Sequence, residues 1–338
     1  MFRKFIHYNV LLVILFSIIW TTYGYTTIHQ SCVDKYGSGP FEQIYDGYGA
    51  YGKYYITAKV FECDKSNSGL VRLLHRYLGE GDDEVVAVDR LGHFGIETMA
   101  NRLVTIVIHG IDSLLYTTDE DGDVMALVHF KETPKSIATR NKTALLHHLD
   151  KDILVISDID DTIKYSQISD LHLAAKELLS MEFRPFDTIN EKYKLWENTT
   201  SFVYLSAGFK QAYELMRHFV FSHFPHGPII LRTIRLKDYF SSEFKNMPYV
   251  YKVNRASQVL NITKNKVVLI GDSTEVDAKI YATLYMNKDY RNRICHIYIR
   301  IVKQEQLTKV ELFLDEVPKQ IYTLFVHADE LPDQLNCM

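Results

Sequence analysis

Apolar positions along the chain fall into two regimes. Between about residues 40 and 130 they come as short β-rich runs, Tyr54 to Phe61, Leu103 to Ile108 and Val124 to Phe130, with the turn-like Asp119 to Asp123 stretch ahead of the last. Runs rich in β-branched and aromatic residues, without long helical periodicity, predict antiparallel strands packed as a β-sandwich. After about residue 140 the runs become nearly continuous: Asp152 to Ser157, Ser201 to Leu205, Pro228 to Leu231, Lys266 to Ile270 and Ile294 to Ile299. Helix-length segments separate several of them. Strands covered on both faces read this way, so this half predicts an α/β fold, a doubly wound parallel sheet with helices on either side. The expected layout is a smaller antiparallel β-sandwich over 32–135 and an α/β domain over 145–332.

The first residues read as an address rather than as part of either domain. Arg3 and Lys4 precede the apolar run Val10 to Trp20, and Thr21, Thr22 and Gly24 follow it. That order predicts a secretory signal peptide over 1–24, cleaved after Gly24. The run is short against the roughly 20 residues that a membrane-spanning helix needs. Four cysteines, Cys32, Cys63, Cys295 and Cys337, allow three disulfide pairings in an oxidising compartment, and proximity favours Cys32 with Cys63. Asn141, Asn198 and Asn261 each open a glycosylation triplet. Together these features predict a glycoprotein that is secreted or held in the lumen of the secretory pathway.

Composition excludes several classes. With 47% apolar and 24% charged residues among 338, the chain is neither disordered, collagen-like nor a multi-span membrane protein. Its net charge of −4 provides no domain-wide basic field, so nucleic acid is not an expected partner.

Ligands of doubly wound sheets sit beyond the carboxyl ends of the strands, and the chemistry is concentrated there. Asp158, Asp160 and Asp161 follow the first continuous run, Ser206 ends the second, and Asp272, Glu275 and Asp277 follow the fourth. Lys252 lies in the helix-like segment ahead of that fourth run. One Asp at such a turn merely caps a helix. Two acidic clusters at buried strand ends cost solvation energy that a cation or ligand must offset. All-oxygen donor sets suit Mg²⁺, which keeps several waters and binds phosphate oxygens.

These residues resemble the motifs of the haloacid dehalogenase-like superfamily of phosphohydrolases: Asp158/Asp160/Thr162, Ser206, Lys252 and Asp272/Asp277. More narrowly the chain resembles the catalytic-domain family of the actin-patch-associated phosphatidate phosphatases. Ile156-Ser-Asp-Ile-Asp-Asp-Thr-Ile-Lys164, Phe224-Pro-His-Gly-Pro-Ile-Ile-Leu-Arg232 and Leu269-Ile-Gly-Asp-Ser273 carry the likeness. Tyr48-Gly-Ala50 and Thr117-Thr-Asp-Glu-Asp-Gly122 extend it into the amino-terminal part. The resemblance implies a Rossmann-like catalytic domain and a Mg²⁺-dependent phosphatase acting on phosphatidate or another phosphomonoester.

It also implies roles for individual residues. Asp158 attacks phosphorus to give an aspartyl phosphate, and Asp160 protonates the leaving oxygen and then activates water. Asp158, the Asp160 main-chain carbonyl and Asp272 hold Mg²⁺, with Asp277 supporting Lys252 or the metal shell. Ser206 and Lys252 stabilise the equatorial phosphoryl oxygens. Two departures bear on substrate preference: Ala207-Gly208-Phe209 follows Ser206, and Ala278-Lys279 follows Asp277. In the family, Ser is usually followed by Ala, a small residue, Pro and Trp, and the final Asp by Pro-Glu. Contact with a membrane surface is compatible with a lipid substrate, as are phosphate-reading roles for Arg232 and Arg235.

Other signals carry less. Asp119 to Asp123 opens like a calcium loop but lacks its later Gly and Glu, so a hairpin turn is expected. His218, His223 and His226 have no common helical face for zinc, and Tyr45, Tyr48, Tyr51, Tyr54 and Tyr55 read as sandwich-face residues rather than a membrane-facing patch. The competing functions are a catalytically idle extracellular binding protein using its β-sandwich, and a phosphatase for phosphoproteins or nucleotides.

Overall fold

The computed structural model describes residues 41–63, 96–98, 103–108, 113–117, 123–130, 136–139, 143–165, 183–210, 213–232, 247–274 and 276–337. The expected signal peptide, Cys32, Asn141, Arg235 and most of the acidic turn before Asp123 lie outside these residues.

The first sheet is organised on β3 (Lys53–Cys63), which pairs antiparallel with β1 (Phe41–Ile44), β2 (Gly47–Ala50), β4 (Ile96–Thr98) and β7 (Asp123–His129). β5 (Leu103–Ile108) pairs with β6 (Ser113–Thr117) and β8 (Ser136–Ala138), and β8 pairs with β9 (Thr143–His148). β9 then runs parallel to β2 and closes the path. Where an antiparallel arrangement was expected, the sheet is therefore mixed, and its strands run on to His148. Pairing across distant sequence brings β9 beside β2, which no local pattern announces. Inward residues of β1, β3 and β7 (Ile44, Tyr54, Ile56, Val124) and of β5, β8 and β9 (Val104, Ile106, Ile137, Leu146) share one apolar cluster.

The second sheet is parallel throughout, in the order β12-β11-β10-β13-β14-β15. Its strands are β10 (Ile153–Ser157), β11 (Thr200–Phe209), β12 (Ile229–Arg232), β13 (Lys266–Asp272), β14 (Ile294–Arg300) and β15 (Tyr322–Phe325). The first five coincide with the five continuous apolar runs. β15 is short and three of its four residues are only half-buried, so it carries no such run. Between the strands lie α1 (Ile189–Trp196), α2 (Tyr213–His223), α3 (Met247–Ile262), α4 (Asp277–Met286), α5 (Lys288–Arg291) and α6 (Leu307–Phe313).

Alternating strand residues feed two cores. Val155, Phe202, Tyr204, Val268 and Ile270 pack with Tyr193 and Trp196 of α1 and Tyr213 and Phe219 of α2. Leu154, Ile156, Val203, Val267 and Leu269 pack on the other side with Val259 of α3, Ile280 of α4 and Val310 of α6. Helices thus cover both faces. Strand order reverses between β10 and β13, and their carboxyl ends open a crevice there.

Of the tyrosine series, Tyr45, Tyr48 and Tyr54 are buried, Tyr55 is half-buried and Tyr51 is exposed. A disulfide joins Cys295 of β14 to Cys337, with Cα atoms 5.4 Å apart. No helix among the described residues is long and apolar enough to cross a membrane.

Candidate active site at the strand switch point

Immediately after β10 the chain turns once. The Ile159 carbonyl accepts from the amides of Thr162, Ile163 and Lys164 at 3.3, 3.0 and 3.0 Å. Asp161, at φ 55°, takes the left-handed backbone conformation that this turn needs. Its carbonyl accepts from Arg300 at the end of β14, whose guanidinium lies 3.2 Å from the centre of the Phe186 ring. The turn leaves the Asp158 side chain buried, 2% exposed, and that of Asp160 24% exposed.

Asp158, Asp272, Asp277 and Lys252 are all buried. Lys252 Nζ donates to Asp158 Oδ1 and to Asp277 Oδ1, each at 2.7 Å. Thr162 Oγ1 stands 3.0 Å from Asp158 Oδ2 and 3.3 Å from Asp272 Oδ2, so these two carboxylates converge on one hydroxyl. Asp277 uses its second oxygen, Oδ2, to accept from the Asp272 amide at 3.3 Å. Gly271 makes this possible, because a Cβ there would come within 2.5 Å of Asp277 Oδ2.

Three carboxylates around one ammonium leave a buried excess of negative charge, which is expensive unless a cation offsets it. Asp158, Asp272 and Asp277 offer oxygen atoms within 4.8 Å of one another. This hard, all-oxygen set fits a divalent cation such as Mg²⁺ or Ca²⁺ better than a soft metal. Each of the three also has protein partners: Asp158 has Lys252 and Thr162, Asp272 has Thr162 and Thr274, and Asp277 has Lys252 and the Asp272 amide.

Asp160 faces another way. Its Oδ1 pairs with Lys164 Nζ at 2.7 Å and its Oδ2 accepts from Ser206 Oγ at 3.1 Å. Burial alone pushes this carboxyl up, but Lys164, Ser206 and Lys252 together hold it below the ordinary carboxylate range. Its carboxylate is not part of the three-acid group, so any metal contact from Asp160 is left to its main-chain carbonyl. Ser206 Oγ also accepts from the Gly208 amide at 2.9 Å.

Asp158, Asp160, Ser206, Lys252, Asp272 and Asp277, six of the residues singled out in the sequence, lie together at these strand ends. Sequence reasoning missed Lys164, although its spacing of four from Asp160 was a usable signal for an ion pair on one turn. It also missed Arg300, whose approach depends on the distant strand β14. Arg232 ends β12 and is buried. Among the described residues, the three aspartates are the grouping of acids, histidines or cysteines able to hold a metal. His226 stacks on Phe221 with ring centres 4.1 Å apart.

Residues 153–301, which span β10 to β14 and include all six site residues, match the family model for the catalytic domain of phosphatidate phosphatase APP1. Phosphatidate phosphatase APP1 of Saccharomyces cerevisiae is 27% identical over 213 residues, which covers 56% of this chain and 35% of the yeast protein. The chain thus resembles that family, and it matches about a third of the length of its curated relative.

Proposed function

We propose that the chain is a Mg²⁺-dependent phosphoric monoester hydrolase of the haloacid dehalogenase-like type, working through an aspartyl-phosphate intermediate. The observation that carries this reading is the buried Lys252 bridging Asp158 and Asp277, with Asp272 alongside, at the switch point of a doubly wound sheet. Phosphatidate is the favoured substrate, because the matched family and the yeast relative are named for that activity. The product pair is then diacylglycerol and phosphate.

Each group has a task that its surroundings support. Asp158, held by Lys252 and Thr162, presents a carboxylate oxygen to phosphorus, and the bond from phosphorus to the leaving oxygen breaks as the new one forms. Asp160, which Lys164 and Ser206 favour as the carboxylate, takes a proton from the water that cleaves the anhydride, and the proton so gained goes to the leaving oxygen of the next turnover. That second step releases phosphate and restores Asp158. Ser206 and Lys252 provide donors for the equatorial oxygens, and Asp277 keeps the ammonium in place. Mg²⁺ bound by Asp158, the Asp160 main-chain carbonyl and Asp272 would neutralise charge as nucleophile and phosphate approach.

The Cys295–Cys337 disulfide supports an oxidising compartment, in line with the leader-like first residues, so we place the protein in the secretory lumen or outside the cell. A substrate at a membrane surface fits that setting. The test is phosphate release by the purified chain from short-chain phosphatidate and from an aryl phosphate, with and without Mg²⁺. Asp158→Asn runs beside it and is expected to reduce Mg²⁺-dependent release by at least about a thousandfold, as loss of a covalent nucleophile does. Release from the aryl phosphate alone discards the lipid substrate and keeps the chemistry. Silence of folded protein on both discards the hydrolase in favour of a binding protein.

A further inference from the structure

We propose that the amino-terminal sheet belongs to the positioning machinery of the active site, acting through a strut from Asp123 to Lys210. The proposal rests on the hydrolase reading and gives that sheet a role within it.

β11 and β12 are in register at Leu205 and again at Phe209, and the register shifts between them. The interrupted stretch contains Ser206, whose hydroxyl holds Asp160, and Gly208, whose amide holds Ser206. A stretch that has left the regular ladder takes its shape from whatever anchors its two ends. On one side the anchor is the parallel sheet. On the other it is Lys210, whose Nζ lies 2.8 Å from Asp123 Oδ1 and 4.6 Å from the centre of the Tyr45 ring. Both partners come from the amino-terminal part, Asp123 from β7 and Tyr45 from the link between β1 and β2. Asp123 is itself fixed from behind, its Oδ2 lying 3.2 Å from the ammonium of buried Lys59.

The same strand holds the other phosphate-facing segment. Arg255 lies about one helical turn beyond Lys252 on α3, and its guanidinium contacts Met125 Sδ of β7 and Gln258 Oε1. Ser206 and Lys252 are therefore each a few residues from a contact with β7. A shift of about 1 Å at such groups is enough to cost catalysis heavily. Asp123 and Lys210 are positioning residues in this account, since they act on the reacting groups through the bulged stretch.

The test uses the full chain with Lys210→Met, because removing Asp123 instead would also take a partner from the buried Lys59. Steady-state kinetics on short-chain phosphatidate and on an aryl phosphate should show kcat down about tenfold on both, with KM within about twofold of wild type. Lys210→Arg, which restores the charge, should recover most of the loss. Hydrogen exchange over residues 204–210 should be faster in Lys210→Met and near wild type in Lys210→Arg. Unchanged exchange overturns the strut whatever the activity. Unchanged kcat, or a raised KM with kcat retained, overturns it as well, the latter by making Lys210 a substrate contact. If wild type shows no turnover, the hydrolase reading fails separately and exchange still decides the strut. Should Lys210→Met not fold, Lys210→Gln carries the same measurements.

Discussion

A single hydroxyl, Thr162 Oγ1, stands between the converging carboxylates of Asp158 and Asp272. Thr162→Val keeps the shape and leaves both Oδ2 atoms facing a methyl group, so each carboxylate loses one of the partners that orient it. Mg²⁺ affinity should fall about ten- to a hundredfold, the range for losing a partner that orients a ligand, as calorimetric titration would read. Equal affinity would mean that the hydroxyl does not orient these oxygens. Gly208 is the other small residue that matters. A Cβ at this position would lie 3.1 Å from Ser206 Oγ and 3.6 Å from Asp160 Oδ2. Gly208→Ala should lower turnover about tenfold by displacing Ser206, while the thermal midpoint stays within a few degrees. A loss of folding instead would place its role in packing.

At the scale of elements, the carboxyl-terminal segment is fastened to the sheet rather than draped over it. Cys337 is bonded to Cys295 on β14, and Leu331 and Leu335 pack on the same core as α1. Trp196 Nε1 donates to the Pro332 carbonyl at 2.9 Å, and Lys192 pairs with Asp333 at 2.6 Å. Closing a loop with a sequence separation of 42 restricts the unfolded chain. Replacing both cysteines by Ala should therefore remove about 2–4 kcal/mol of stability in a urea titration. No change would show that packing alone secures the tail.

Across the whole molecule, Asp46 joins the first sheet to helix α2, which covers the second. Its Oδ1 accepts from the Leu145 amide at 2.9 Å, its Oδ2 from Arg217 Nε at 2.7 Å, and its own amide donates to Tyr213 Oη at 2.9 Å. The link before β2, strand β9 and helix α2 thus meet at one buried carboxylate. Burial pushes its carboxyl up, but His147, Arg217 and the Leu145 amide outweigh that and bring it down to about 2. In the unfolded chain the same group titrates near 3.9, so on acidification the unfolded state takes up the proton first. The stabilisation is fully present above about pH 4 and is lost as pH falls towards 2, an effect of about 2 kcal/mol. Denaturant titrations at pH 5 and pH 2.5 should show that loss in wild type and less of it in Asp46→Asn. Equal slopes would remove Asp46 from the account.

Five of the six parallel strands, and the acids that gather at their carboxyl ends, were legible in the sequence, because each announces itself locally. A strand buried on both faces must be apolar along its length, and an acid at its end stands out against that background. β15 was not legible, since a half-buried edge strand has no continuous run. Nor was the parallel pairing of β9 with β2, which depends on residues roughly a hundred positions apart. The sequence by itself determined which residues carry charge at the strand ends and what kind of chemistry they can perform. Only the tertiary structure decided their partners: that Asp277 serves Lys252, that Asp160 turns to Lys164 and Ser206, and that Asp123 reaches Lys210. The cost of burying a polar group is set by the residue itself, whereas its partner is chosen by contacts between distant segments, which composition and spacing do not encode.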